Sequence, residues 1–274
     1  MAESSRRAAV LGRPIAHSLS PVLHRAAYAA LGIDWDYTAI DCGVDGLAGV
    51  LAERTDWAGF SCTMPLKRVA LDTADEIDAL AAAVGAANTL LPRTGGGWVA
   101  HNTDVHGVVE AVRRDGSTPE SATVVGAGGT AQAAVVALAR VGLRSCTVLV
   151  RDPARTKELR DTAQRAGVDV RVEPLAVDAD QLAAELVIST LPRDAVDPLT
   201  AFSWRAGQTV LDVVYDPWPT LLAQRAAACG ATVRSGALML LHQAAAQVEL
   251  MTGRTAPVES MRSALRAARP GCGV

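Results

Sequence analysis

The sequence predicts an α/β protein in two parts, an N-terminal α/β domain followed by a C-terminal Rossmann-type doubly wound parallel sheet. Three observations carry that expectation. Short β-type runs alternate with Ala/Leu-rich stretches along the whole chain, the pattern of βαβ units. A glycine-rich turn, "VVGAGGTA", follows one such run and opens an Ala-rich stretch. Ahead of that turn, the polar "DGSTPES" (115–121) interrupts the alternation and separates one series of elements from the next.

In the first series, strands are expected near "AAVLG" (8–12), "DYTAID" (36–41), "GFSCTM" (59–64) and "ANTLL" (87–91), with helices between them. One helix should start at Ser20 or Pro21, with proline in its first turn, and run to about Leu31, where Gly32 stops it. After Asp104 comes the apolar-periodic "VHGVVEAVRR", read as a bridging helix, and the boundary falls near residue 105. From 122 onward the order is "ATVVG", helix, "CTVLV", helix, "DVRVE", helix, "LVIST", then "TVLDVV" and "ATVRS". The expected division is 1–105 and 106–237, with the last helices, about 238–270, packing back on the first part.

At 274 residues and 50% hydrophobic content the chain can supply a substantial core. A net charge of −3 gives no field to recruit nucleic acid or an acidic membrane, so a small-molecule partner is the default. Only Ala8–Gly12 separates Arg7 from Arg13, shorter than the roughly 7–15 residues of a signal-peptide core. No run approaches the ~18 apolar residues that span a bilayer. The five cysteines are scattered and never spaced as CxxC, which reads as reduced thiols in a cytoplasmic protein. Its five histidines form no HExxH, and no metal is expected.

The turn reads Gly126-Ala127-Gly128-Gly129-Thr130-Ala131, a GxGxxA motif. Its first glycine permits a tight turn, the second admits a dinucleotide pyrophosphate, and Ala131 allows close helix–sheet packing. The helix N-terminus would hold the phosphates. In "CTVLVRDPAR", Arg151 and Arg155 beyond the second strand suit the 2′-phosphate of NADP, as NADPH in the reducing direction. NAD is the alternative, because Asp152 could bind a ribose; but Asp before Pro153 also reads as a helix N-cap.

Against 24 arginines the chain has two lysines, Lys67 in "SCTMPLK" and Lys157 in a polar helical context. Arg stays protonated, whereas a desolvated Lys can release a proton, so Lys67 is a candidate for proton transfer. Ser18 and Ser20 in "PIAHSLSP", Asn88 and Thr89 in "ANTLL", and Asn102, Thr103 and Asp104 in "HNTD" all fall at strand ends, where open α/β sheets hold ligands. Each has a plainer reading as a cap or turn residue.

Taken together, "GRPIAHSLSPVLH", "SCTMPLK", "GAANTLL", "HNTDVHG", "VVGAGGTA" and "GALMLLHQAA" resemble the shikimate dehydrogenase family in order and spacing over nearly the whole chain. The resemblance implies an N-terminal substrate domain, a C-terminal NADP-binding domain, and reversible reduction of 3-dehydroshikimate to shikimate. It implies that Lys67 and Asp104 form the catalytic pair, and that Ser18, Ser20, Thr63, Asn88, Tyr215 and Gln243 hold the substrate. Thr190, Val213 and Gly236 would join the turn and the two arginines on the cofactor. A monomer or homodimer is expected.

The sequence departs from the family at Ser61, where Asn is common, at Val150 and Asp152 in the arginine motif, at "STLP" (189–192), and at His101 before "NTD". A quinate or aminoshikimate dehydrogenase using NAD is the rival within the superfamily. A non-catalytic dinucleotide sensor is the rival from another class, and a sensor has no need for both Lys67 and Asp104.

Overall fold

The computed structural model describes residues 6–52, 57–113, 119–176, 181–192 and 202–274. They form two compact units: Met1–Thr103 with Leu241–Pro270, and Asp104–Leu240 with Gly271–Val274.

The first unit contains strands β1 (Arg7–Gly12), β2 (Asp36–Asp41), β3 (Trp57–Cys62), β4 (Glu76–Ile77), β5 (Thr89–Pro92) and β6 (Trp98–His101), and helices α1 (Ser20–Leu31), α2 (Leu47–Ala52), α3 (Lys67–Thr73) and α4 (Ala79–Val84). The strands form one sheet in the order β2-β1-β3-β5-β6-β4. β3, buried at every position, lies between β1 and β5, which is why "WAGFSC" reads as a continuous apolar run rather than an alternation. One face packs Trp57, Phe60 and Trp98 together, with ring centroids 4.7 Å and 5.2 Å apart. Tyr28, Ile33 and Tyr37 belong to a separate core cluster with Ala8 and Val10 of β1.

This sheet is parallel-rich, as βαβ units imply: β1 pairs parallel with β2 and β3, and β4 with β6. β5 runs antiparallel to both β3 and β6. For β5 and β6 the cause is the short turn "RTGGG", closed by Arg93 N–H donating to Gly97 O at 2.9 Å; a link so short can make a hairpin, whereas a parallel crossover needs about a dozen residues. β4 and β6 are too short to stand out in the sequence.

The second unit contains α5 (Asp104–Val112), β7 (Ala122–Val125), α6 (Gly129–Arg140), β8 (Ser145–Val150), α7 (Lys157–Ala166), β9 (Asp169–Pro174), β10 (Leu186–Ser189), β11 (Thr209–Asp212), α8 (Leu221–Ala228) and β12 (Thr232–Ser235). Its sheet has the order β12-β11-β10-β7-β8-β9 with every pair parallel. Read from its third strand, that is the doubly wound order of a dinucleotide-binding domain, with the switch point between β7 and β10. The helix expected between β9 and β10 falls partly on residues 177–180, outside the described ones, and 181–185 is turn and bend.

Two further helices end the chain, α9 (Gly236–Thr252) and α10 (Val258–Ala268). α10 packs against α1 within the first unit. Among the described residues, no helix is long and apolar enough to cross a membrane.

Candidate active site

In the first unit the loops after β1 and β3 are tied together. Thr63 N–H donates to Leu11 O at 2.9 Å and Arg13 N–H to Met64 O at 3.0 Å. The β1 loop carries Ser18, half-buried, whose hydroxyl accepts from the backbone N–H of Ser20 at 3.3 Å. Ser20 is the first residue of α1 and is buried. Thr63 is half-buried on the second loop, and its carbonyl accepts from Leu66 N–H at 2.7 Å, one residue before α3 begins at Lys67. The carbonyl of Lys67 accepts from Ala87 N–H at 2.8 Å, which ties the start of α3 to the residue preceding Asn88.

Asn88 is 2% exposed and the centre of a buried polar cluster. Its Oδ1 accepts from Thr103 N–H at 2.8 Å and from the Thr89 hydroxyl at 3.0 Å. Its Nδ2 donates to Thr103 Oγ1 at 2.9 Å and to Gln243 Oε1 at 3.1 Å. Asn102 donates to Ala86 O at 2.8 Å, which holds the strand end before Asp104. Asn88 and Gln243, far apart in sequence, therefore meet through α9.

The cluster continues through Gln247, Tyr37 and His24, none of them among the expected site residues, and through Thr89 and Ser61. Gln247 Nε2 donates to Asn88 O at 3.2 Å and Thr89 Oγ1 at 2.9 Å; its Oε1 accepts from Ser61 Oγ at 2.7 Å and pairs with His24 Nε2 at 3.3 Å. Tyr37 O–H donates to Ser61 Oγ at 2.6 Å, and the His24 ring stacks on Tyr37 with centroids 3.9 Å apart. Burial pushes the Tyr37 phenol well above its usual range and lowers the His24 pKa to about 3, so this His is neutral. Ser61, one of the departures from the family pattern, thus bonds Tyr37 and Gln247 inside the fold. The available signal was two glutamines four residues apart on one face of an apolar helix, "QAAAQVEL".

Another departure has a visible partner. His101 Nδ1 lies 2.8 Å from the Asp78 carboxylate, which also caps α4 through Ala81 N–H at 2.5 Å. Partial burial opposes the Asp78 charge, but the His101 hydrogen bond and the capping N–H groups hold its pKa below the usual carboxylate range.

In the second unit, a cavity of about 380 Å³ opens at the C-terminal ends of β7, β8 and β10. It is lined by Gly126, Ala127 and Gly128 of the turn, by Arg151, Asp152 and Arg155, and by Thr190 and its neighbours. Gly126 has φ of 115°, and a side chain there would also run into Thr190 Oγ1. The Thr190 hydroxyl itself donates to Val125 O at 2.8 Å. A Cβ on Gly128 would meet nothing within 4 Å, so the backbone at the start of α6 is open on the side that lines the cavity. Ala131 is fully buried in the first turn of α6, after Gly129 and Thr130.

Asp152 caps the short turn Pro153–Arg155, accepting from Ala154 N–H at 3.0 Å. The capping reading therefore accounts for this carboxylate, and the two arginines flank it on the cavity wall. Val213 and Gly236 lie beyond the ends of β11 and β12; a side chain on Gly236 would collide with the Val213 carbonyl. The loop after β11 also carries Tyr215, half-buried. It is anchored by Asp212, whose buried carboxylate accepts from Thr220 O–H at 2.7 Å and Val214 N–H at 3.2 Å. Asp104 belongs to this unit as the first residue of α5 and is 4% exposed.

Residues 10–90 match the shikimate dehydrogenase substrate binding domain, and residues 236–266 match the shikimate 5'-dehydrogenase C-terminal domain. A protein of Moorella thermoacetica named shikimate dehydrogenase (NADP(+)) is 37% identical over 95% of this chain and 92% of its own. The crystal structure of Mycobacterium tuberculosis shikimate dehydrogenase is similar at a TM-score of 0.85 and 46% identity, covering 96% of this chain and 99% of that one. A quinate dehydrogenase from Corynebacterium glutamicum, in complex with NAD, has a TM-score of 0.86 at 29% identity over the same shares. Relatedness at this level, sustained across both units, is decisive: the chain belongs to the shikimate dehydrogenase family.

Proposed function

We propose that this protein is an NADP-dependent shikimate dehydrogenase, interconverting 3-dehydroshikimate and shikimate on the route to aromatic amino acids, with substrate held by the first unit and NADP by the second. The observation that carries the reading is the convergence in the first unit of two hydrogen-bonded amides, Asn88 and Gln243, on the segment to which the backbone of Lys67 is tied. Amides, hydroxyls and an ammonium are the groups that recognise a polyhydroxylated carboxylate.

NADP, when bound, supplies the hydride to the substrate's carbonyl carbon or takes it back. As the carbonyl is reduced, negative charge grows on its oxygen; the Lys67 ammonium stabilises that charge and donates the proton, so that C=O becomes CH–OH. In the other direction Lys67 takes the hydroxyl proton. Asp104 orients the ammonium and accepts a hydrogen bond from a substrate hydroxyl, while Ser18, Ser20, Thr63 and Tyr215 complete the polar ring. Arg151 and Arg155 receive the 2′-phosphate, and Gly126–Ala131 with Thr190 the pyrophosphate and its neighbours. The five cysteines are free thiols, in keeping with a cytoplasmic enzyme acting on small molecules as a monomer or homodimer.

The test is a four-way comparison of kcat/KM for shikimate and quinate with NADP⁺ and NAD⁺. The shikimate–NADP⁺ pair should exceed each of the others; a preference for quinate with NAD⁺ would sink the reading.

A further inference from the structure

We infer that Gln247 and Thr89 are positioning residues that set the hydrogen-bond polarity of the substrate site, so that Gln243 meets the substrate as a donor through Nε2. The inference rests on the proposed shikimate site and concerns residues that do not themselves touch the ligand.

Two backbone groups remove the usual ambiguity of side-chain amides. Thr103 N–H can only donate, so the Asn88 atom 2.8 Å from it is the oxygen. The Asn88 carbonyl can only accept, so the Gln247 atom 3.2 Å from it is the nitrogen. The rest follows in sequence. Gln247 Nε2 spends its second hydrogen on Thr89 Oγ1 at 2.9 Å, which directs the Thr89 hydroxyl hydrogen to Asn88 Oδ1 at 3.0 Å. Asn88 Nδ2 must then donate, and it reaches Thr103 Oγ1 and Gln243 Oε1. With Oε1 of Gln243 accepting from Asn88, its Nε2 is left on the opposite side of the amide, as a donor to whatever it meets.

Gln247 is itself held in this orientation from behind. Ser61 Oγ, which receives the Tyr37 hydroxyl hydrogen, gives its own to Gln247 Oε1, and the stacked His24 ring presents Nε2 to the same oxygen. All these groups are buried, so a reversed amide would leave like faces opposed with no water to repair them. The relay thus runs from Tyr37 through Ser61, Gln247, Thr89 and Asn88 to Gln243. A donor at its end suits an oxygen-rich, anionic ligand, such as a carboxylate or a hydroxyl oxygen.

The experiment compares Thr89→Val with Thr89→Ser, and adds Gln247→Met. Val keeps the shape of Thr and removes the relay; Ser keeps the relay and removes a methyl group. Steady-state kinetics with shikimate and NADP⁺ are read beside NADP⁺ affinity and the thermal midpoint. Thr89→Val and Gln247→Met should raise the shikimate KM about tenfold with kcat changed less than about threefold. Thr89→Ser should stay within about twofold of the parent, and NADP⁺ affinity should be unchanged in all three. The opposite ranking, Thr89→Val normal and Thr89→Ser impaired, would show a packing role and overturn the inference, as would an unchanged shikimate KM in Gln247→Met. An inactive parent protein would instead overturn the proposed function, so the two failures are distinguishable.

Discussion

His24 gives the structure a built-in sensitivity to acid whose size can be worked out. Its imidazole is fully buried, stacked on Tyr37 and bonded through Nε2 to Gln247, while Nδ1 has no hydrogen-bond partner among the described residues. Burial lowers its pKa from 6.5 to about 3. For a base with a depressed folded-state pKa, the unfolded chain takes up the proton first, so stability is full above pH 6.5 and falls as the pH drops toward 3. By pH 4.5 the cost in that window is on the order of 3 kcal/mol. The perturbation is His24→Phe, which keeps an aromatic ring beside Tyr37 and cannot titrate. Urea unfolding of both proteins, followed by tryptophan fluorescence from pH 7.5 to 4.5, isolates the contribution, because groups common to both cancel. Phe should be the less stable at pH 7.5, having lost the bond to Gln247, and the gap should move in its favour by roughly 3 kcal/mol on acidification. A gap independent of pH would refute the reasoning.

Other perturbations follow from single contacts. Thr220→Val removes the hydroxyl that serves the buried Asp212 carboxylate and caps α8; it should cost about 2–3 kcal/mol in chemical denaturation. Gly126→Ala places a side chain at φ of 115° and against Thr190, and should abolish NADP⁺ binding measured by calorimetry while shikimate binding persists. Arg155→Ala, on the cavity wall, should raise the KM for NADP⁺ about tenfold or more and leave that for NAD⁺ nearly unchanged. Equal losses with both cofactors would mean that Arg155 does not read the 2′-phosphate.

The parts of the fold most legible in the sequence were those written as local pattern. β7, the Gly126–Ala131 turn and α6 were readable because strand, turn and helix follow one another directly, and the six parallel strands each form a distinct run. The hairpin of β5 and β6 was harder: its strands are four residues each, and antiparallel pairing depends on the short "RTGGG" turn between them. At the candidate site, Lys67 stands out because arginine supplies nearly every other cation, strand-end polarity marks Ser18, Ser20, Asn88 and Asp104, and Tyr215 and Gln243 enter only through the family resemblance. Gln247 is marked in the sequence only by its spacing of four from Gln243 on an apolar helix, and its partners Ser61, Thr89 and His24 come from distant segments. Asp212 and Thr220 were silent, because an eight-residue separation acquires meaning only when the loop after β11 closes on itself.

The central claim is that Lys67 moves the proton while other groups hold the substrate. Its most direct test is Lys67→Ala, with kcat for shikimate oxidation measured beside shikimate affinity by calorimetry. Turnover should fall by at least about a hundredfold, the scale of general acid–base catalysis, with affinity changed only severalfold, and Lys67→Arg should fail similarly because the guanidinium keeps its proton. Near-normal turnover in Lys67→Ala would contradict the account.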